Sequence, residues 1–178
     1  MTIEQTFLSS VIKRFNEYKN LGDKTFAQLK DEDFLYTPNE TSNSLAVIIK
    51  HMHGNMQSRW TNFLTEDGEK EWRKRDAEFE EAPISKKELM ILWEKGWEIL
   101  LHTLQLLHPE DLLKTITIRS EPLNVVDAIN RQLAHYGYHV GQIVYIGRMI
   151  KNREWKNLSV PKNKSLDYNE QIKDKNKS

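Results

Sequence analysis

Apolar residues recur along this chain at the spacing of an α-helix, over stretches long enough to leave few alternatives. In the first stretch Phe7, Val11, Tyr18, Leu21 and Thr25 share a stripe, Phe15 and Leu29 lie beside it, and Lys13, Glu17, Lys19 and Lys24 take other faces. This predicts one amphipathic helix over about 3–29, which Gly22 is placed to bend. Residues 30–43 carry turn chemistry, and Ser42 or Ser44 is placed to cap a second helix over about 44–64, striped by Leu45, Ile48, Ile49, Met52, Met56, Trp60 and Phe63. Residues 65–83 are too charged for a core element and read as a long connection that packs Trp72 and Phe79. Ser85 and Glu88 form a capping-box pattern for a third helix, striped by Leu89, Leu92, Trp93, Gly96, Leu100, Leu104 and Leu107 and stopped at His108-Pro109. Residues 114–119 alternate as a short strand would. A fourth helix, capped by Asn124, runs to about 150.

Four such helices with one long crossover, between the second and third, describe an all-α four-helix bundle over residues 1–150. Residues 151–178 form a polar extension expected to drape over the bundle, its last ten residues disordered. No internal repeat is evident.

Composition excludes several functions. The 178 residues suit one domain with one core. Lysine plus arginine and aspartate plus glutamate number 26 each, so the chain lacks the basic surplus of a nucleic-acid binder or a polybasic membrane anchor. With no cysteine, a cysteine nucleophile, cysteine-ligated zinc and iron–sulfur clusters are excluded. The opening MTIEQTFLSS has neither the basic nor the apolar region of a signal peptide, and no apolar run approaches the ~20 residues of a membrane span. A cytoplasmic location is expected.

The histidines carry the chemistry. His135 and His139, in HYGYHVGQ (135–142), are four apart, so on a helix they lie about 40° apart around the axis and ~6 Å along it. Two imidazoles at that spacing can share a metal ion. Their face also carries Gln132, Gln142, Ile143 and Ile146, which turns it inward. A metal site needs a third ligand. His51, mid-way along the second helix between apolar neighbours, is the best placed, with Asn55 on its side of the helix. His53 falls about 200° away and reads as solvated. His102 and His108 read as surface or helix-end residues. The bland alternative, histidines satisfied by backbone or tyrosine in a packed core, stays open at this point.

What is missing narrows the chemistry further. Tyr136 stands where a zinc protease has its glutamate, and no Asp or Glu falls on the inner stripes of the second or fourth helix, so a di-iron carboxylate site fails too. The metal reading that remains is a mononuclear, all-histidine, open-sided site for a divalent ion such as Zn, Ni or Fe.

SLAVIIKH (44–51), with Ser44 seven residues before His51, resembles the second-helix signature of the DinB/YfiT-like putative metal-dependent hydrolase superfamily. The pattern of 135–142, a histidine pair followed closely by Gly141 and Gln142, resembles its fourth-helix signature. This DinB is a damage-inducible bundle protein, unrelated to the polymerase of that label. The resemblance covers about residues 1–150 and maps the family's three metal-binding histidines onto His51, His135 and His139. Residues 67–79 and 155–169 resemble a subfamily of unknown function from bacilli and related bacteria.

The resemblance implies a metal that activates a low-molecular-weight thiol, of the bacillithiol or mycothiol kind, for transfer to a small electrophile. Asn55, Gln132 and Tyr136 are then pocket residues. A metal-dependent hydrolase using water is the alternative enzyme. A non-enzymatic, stress-linked metal-binding or interaction protein is the third reading. A small-molecule ligand and a homodimer are the expected partners.

Overall fold

A computed structural model describes residues 2–80 and 82–175. It is mostly helical: α1 (Ile3–Phe26), α2 (Leu45–Trp60), α3 (Lys86–Leu106), β1 (Thr115–Ile118), β2 (Glu121–Asn124), α4 (Val125–Lys151) and α5 (Ser165–Lys175) follow one another along the chain. Each long helix starts where a side chain takes over an orphaned amide. Thr2 and Gln5 form a capping box for α1, as Ser85 and Glu88 do for α3. Ser44 accepts from the Val47 amide and Asn124 from the Asp127 amide.

α2 is the central element, burying residues nearly all round its circumference. It packs on α3 and α4, while α1 packs on α4 and α3. Between them lies an aromatic core. The Phe15 ring stands 6.0 Å from that of Tyr136 and 6.4 Å from those of Trp60 and Trp97. α2 stops at Trp60 rather than near residue 64. The Thr103 hydroxyl donates to the Trp60 carbonyl, and Asn62 turns the chain with φ 51°, a conformation asparagine tolerates.

The buried row of α1 is rotated from the expected stripe. Leu8, Val11, Phe15, Gly22, Thr25 and Phe26 face the core, and Phe7, Tyr18 and Leu21 sit at its rim. Gly22 marks a close approach rather than a bend. The Trp93 ring fills the space a Cβ would take, held there by its indole N–H donating to Asp23 at 2.7 Å.

The extended segment at 114–119 is half of a hairpin. β1 pairs antiparallel with β2, joined by Arg119 and Ser120 with φ 56° and 63°. Positive φ at both turn positions suits the strand twist but is costly for residues other than Gly, Asn or Asp. Asp67 holds that turn by accepting from both amides, at 2.8 and 2.7 Å.

Beyond α4, Lys156 exchanges two backbone hydrogen bonds with the Gln28 side chain on α1. α5 carries no buried residue. Of the ten final residues expected to be disordered, 169–175 lie within α5, and 176–178 lie outside the described residues. Among the described residues no helix is long and apolar enough to cross a membrane.

Candidate metal centre

The spacing of His135 and His139 puts both rings on one face of α4, and α2 brings His51 opposite them. The Nε2 atoms converge: His139 to His135 is 3.0 Å, and His51 to His135 is 3.4 Å. All three ligand atoms lie within 4.8 Å of one another. Zn–N bonds of 2.0–2.1 Å in a tetrahedral site would set neighbouring nitrogens about 3.3 Å apart. His51 and His139 are buried, and His135 is half-buried.

The other ring nitrogens explain the orientation. His51 Nδ1 lies 3.0 Å from a Glu78 carboxylate oxygen, His135 Nδ1 3.3 Å from Gln132 Oε1, and His139 Nδ1 2.9 Å from Gln142 Oε1. A carboxylate has nothing to donate, so the His51 proton sits on Nδ1 and its Nε2 presents a lone pair. At the other two rings a glutamine oxygen accepts when the ring proton is on Nδ1. In that tautomer three lone pairs face one space, where a cation fits. This is the hydrogen-bonded support that orients metal-ligating imidazoles. The three-histidine cluster is compatible with metal binding.

The local field keeps the α4 pair neutral. Burial, followed by the charges of His139 and His51 and then Arg59 and Arg73, lowers the pKa of His135 to about 3. Burial lowers that of His139 to about 4, against the opposing pull of Gln142. For Glu78, burial acts upward, but hydrogen bonds from His51 and Arg73 outweigh it and hold the carboxyl below its ordinary value.

Glu78 is the residue that sequence reasoning missed. It comes from the charged connection, where a short 3-10 turn, Asp76–Phe79, lies against α2. Arg73 grips its carboxylate with two bonds, at 2.8 and 2.9 Å. Gly54 makes the room, since a Cβ there would overlap that carboxylate. The Phe79 ring packs 5.0 Å from His51, whereas Trp72 is exposed and does not serve as an anchor. The absence of a carboxylate thus holds for the helical faces but not for the centre as a whole. The signal available was Gly54, one turn beyond Lys50 on an otherwise crowded helix.

Asn55 and Gln132 line a cavity of about 260 Å³ that opens onto His51 and His135. Tyr136 stands behind this wall. Its ring is fully buried, its hydroxyl donates to Asn55 at 2.8 Å, and it accepts from the Trp60 indole at 3.1 Å. Burial raises its pKa, so it is a neutral donor. His53 is half-buried between α2 and α3, with an unpartnered Nδ1, and not solvated as its wheel position suggested. His102 and His108 are exposed.

Residues 2–164 match the model of a family described as a protein of unknown function, DUF1572. The chain belongs to the DUF1572 family. Its fold is similar to the crystal structure of YjoA, a DinB-like protein from Bacillus subtilis, with a TM-score of 0.63 and 16% sequence identity over 83% of this chain and 96% of that one. A comparison with curated proteins finds no match. The DUF1572 chain therefore has a DinB-like fold, as the two helix signatures implied.

Proposed function

We propose that this DUF1572 protein is a metal-dependent transferase built on a DinB-type four-helix bundle, with residues 61–85 as the crossover. His51, His135 and His139 hold the divalent ion, and a low-molecular-weight thiol is joined to a small electrophile beside it. The observation that supports this most is the convergence of three Nε2 atoms while each Nδ1 lies against an oxygen. When bound, such an ion supplies Lewis acidity that makes a thiol deprotonate near neutral pH.

The chain's own residues do the rest. Glu78, Gln132 and Gln142 fix the three rings. Asn55, braced by Tyr136, presents a polar wall to the cavity. In the transfer, sulfur forms the new bond to the electrophile, its proton passes to solvent, and the leaving group departs with the bonding pair. Glu78 favours this over hydrolysis: three hydrogen bonds from His51 and Arg73 hold its carboxyl below the ordinary value, which makes it a weak base toward water.

The test is to load the protein with Zn, Ni or Fe and incubate it with bacillithiol or cysteine and 1-chloro-2,4-dinitrobenzene. Conjugation that disappears in His51→Ala supports the proposal. Cleavage of nitrophenyl esters without thiol would replace it with the hydrolase reading. Neither activity would leave a non-enzymatic metal-binding protein.

A further inference from the structure

The cavity next to the histidines is lined by five arginines: Arg59, Arg73, Arg75, Arg119 and Arg131. Among the described residues no aspartate or glutamate lines it. They come from α2, the long connection, the hairpin turn and α4. The chain as a whole carries equal numbers of basic and acidic residues, so this concentration is local rather than a reflection of composition.

The nearby carboxylates do not neutralise it. Glu69 is shared by Arg59 at 3.1 Å, Arg119 at 3.0 Å and, more distantly, Arg73 at 3.7 Å. Glu78 is divided between Arg73 and His51. Arg75 has a fully exposed Asp76 at 3.7 Å, a pairing worth little in water. Arg131 makes no ion pair among the described residues.

Arg59 gives the second observation. Its residue is 5% exposed, its terminal nitrogens reach the Gly68 carbonyl and Glu69, and its Nε is buried without an acceptor. A buried donor on a guanidinium left unpaired costs free energy unless something else satisfies it. The hairpin points the same way, since a turn with two positive-φ residues, stapled by Asp67, is what carries Arg119 to the cavity.

We propose that this cavity is an oxyanion subsite, which takes the carboxylate or phosphate group of a small anionic substrate and places the rest of that molecule at His51 and His135. Guanidinium groups match both oxyanions in a two-pronged geometry. A volume of about 260 Å³ confines the anion to a small group. The inference deepens the metal-site reading by naming the charge of the substrate, but the anion contacts stand on the arginines alone.

The test is isothermal titration of the full-length protein at low salt with inorganic phosphate and, separately, with succinate, using succinamide as the uncharged control. One-site saturable binding of at least one anion is expected, with none for succinamide. Whichever anion binds more tightly identifies the headgroup. Arg131→Gln, at an exposed position where folding is not at stake, weakens that binding about tenfold. Binding persists in a folded His51→Ala/His135→Ala/His139→Ala variant, so a failure of the metal reading would not remove it. The proposal is overturned if neither anion saturates, if Arg131→Gln binds as wild type does, or if the triple variant loses binding.

Discussion

The Nδ1 atoms of the three histidines decide what their Nε2 atoms can do, and Glu78 does so most firmly because its carboxylate cannot donate. Glu78→Gln keeps the shape but removes the charge that faces His51 Nδ1 and pairs with Arg73. Zinc affinity is expected to fall between about tenfold and a hundredfold, measured by competition with a chromophoric chelator. Unchanged affinity would mean that Glu78 serves only the loop. Tyr136 makes a different prediction. Tyr136→Phe leaves the Trp60 indole and the Asn55 oxygen without their buried partner, which should cost about 1–3 kcal/mol in urea unfolding with little change in metal content. The three histidines were legible in the sequence because helical spacing converts position into direction, and the structure does bring them together. Glu78 was not, because a loop has no period from which to read where a side chain goes. The arginines escaped for the same reason: spaced from 59 to 131 over four elements, they look in the sequence like a solvated charge distribution.

Helix existence followed from pattern and caps, but helix rotation did not. A wide apolar face on α1 admits two neighbouring rows, and the partner surfaces choose between them. Trp93 seats itself on Gly22, which pulls the Leu8–Phe15–Gly22 row inward and leaves Tyr18 at the rim. Gly22→Ala tests this directly. Alanine gains about 1 kcal/mol of helix propensity. Its Cβ would overlap an indole that cannot swing away while bonded to Asp23. Overpacking of this kind costs about 1–3 kcal/mol, so a lower melting temperature is expected. A higher one would mean that the Trp93 indole gives way to the added methyl at no net cost. The second strand was missed because Pro122 and Glu121 are poor strand residues. What makes β2 is its pairing with β1, a tertiary effect that a local pattern does not carry.

At the scale of the whole molecule, the centre is where α2, α4 and the connection at 61–85 meet, so its state is coupled to folding. His135 and His139 have folded pKa values of about 3 and 4, lowered from 6.5 chiefly by burial. Above pH 6.5 both folded and unfolded chains hold them neutral, and they add no pH dependence. As pH falls below 6.5 the unfolded chain takes up protons first, so the metal-free protein loses stability until the folded values are reached. Urea unfolding between pH 7.5 and 4 should show this loss, and replacing both histidines by glutamine should flatten it. An equal slope in that variant would place the effect elsewhere. Metal bound to the folded chain alone should oppose the loss, because it holds the nitrogens of His135 and His139 against protons. The central claim is that three converged lone pairs hold a metal ion. Its most direct test is elemental analysis of protein purified without a histidine tag, against the His51→Ala/His135→Ala/His139→Ala variant. About one divalent ion per chain in wild type and none in the variant is predicted. No metal in wild type, even after dialysis against Zn and Ni, or equal metal in both, would contradict it.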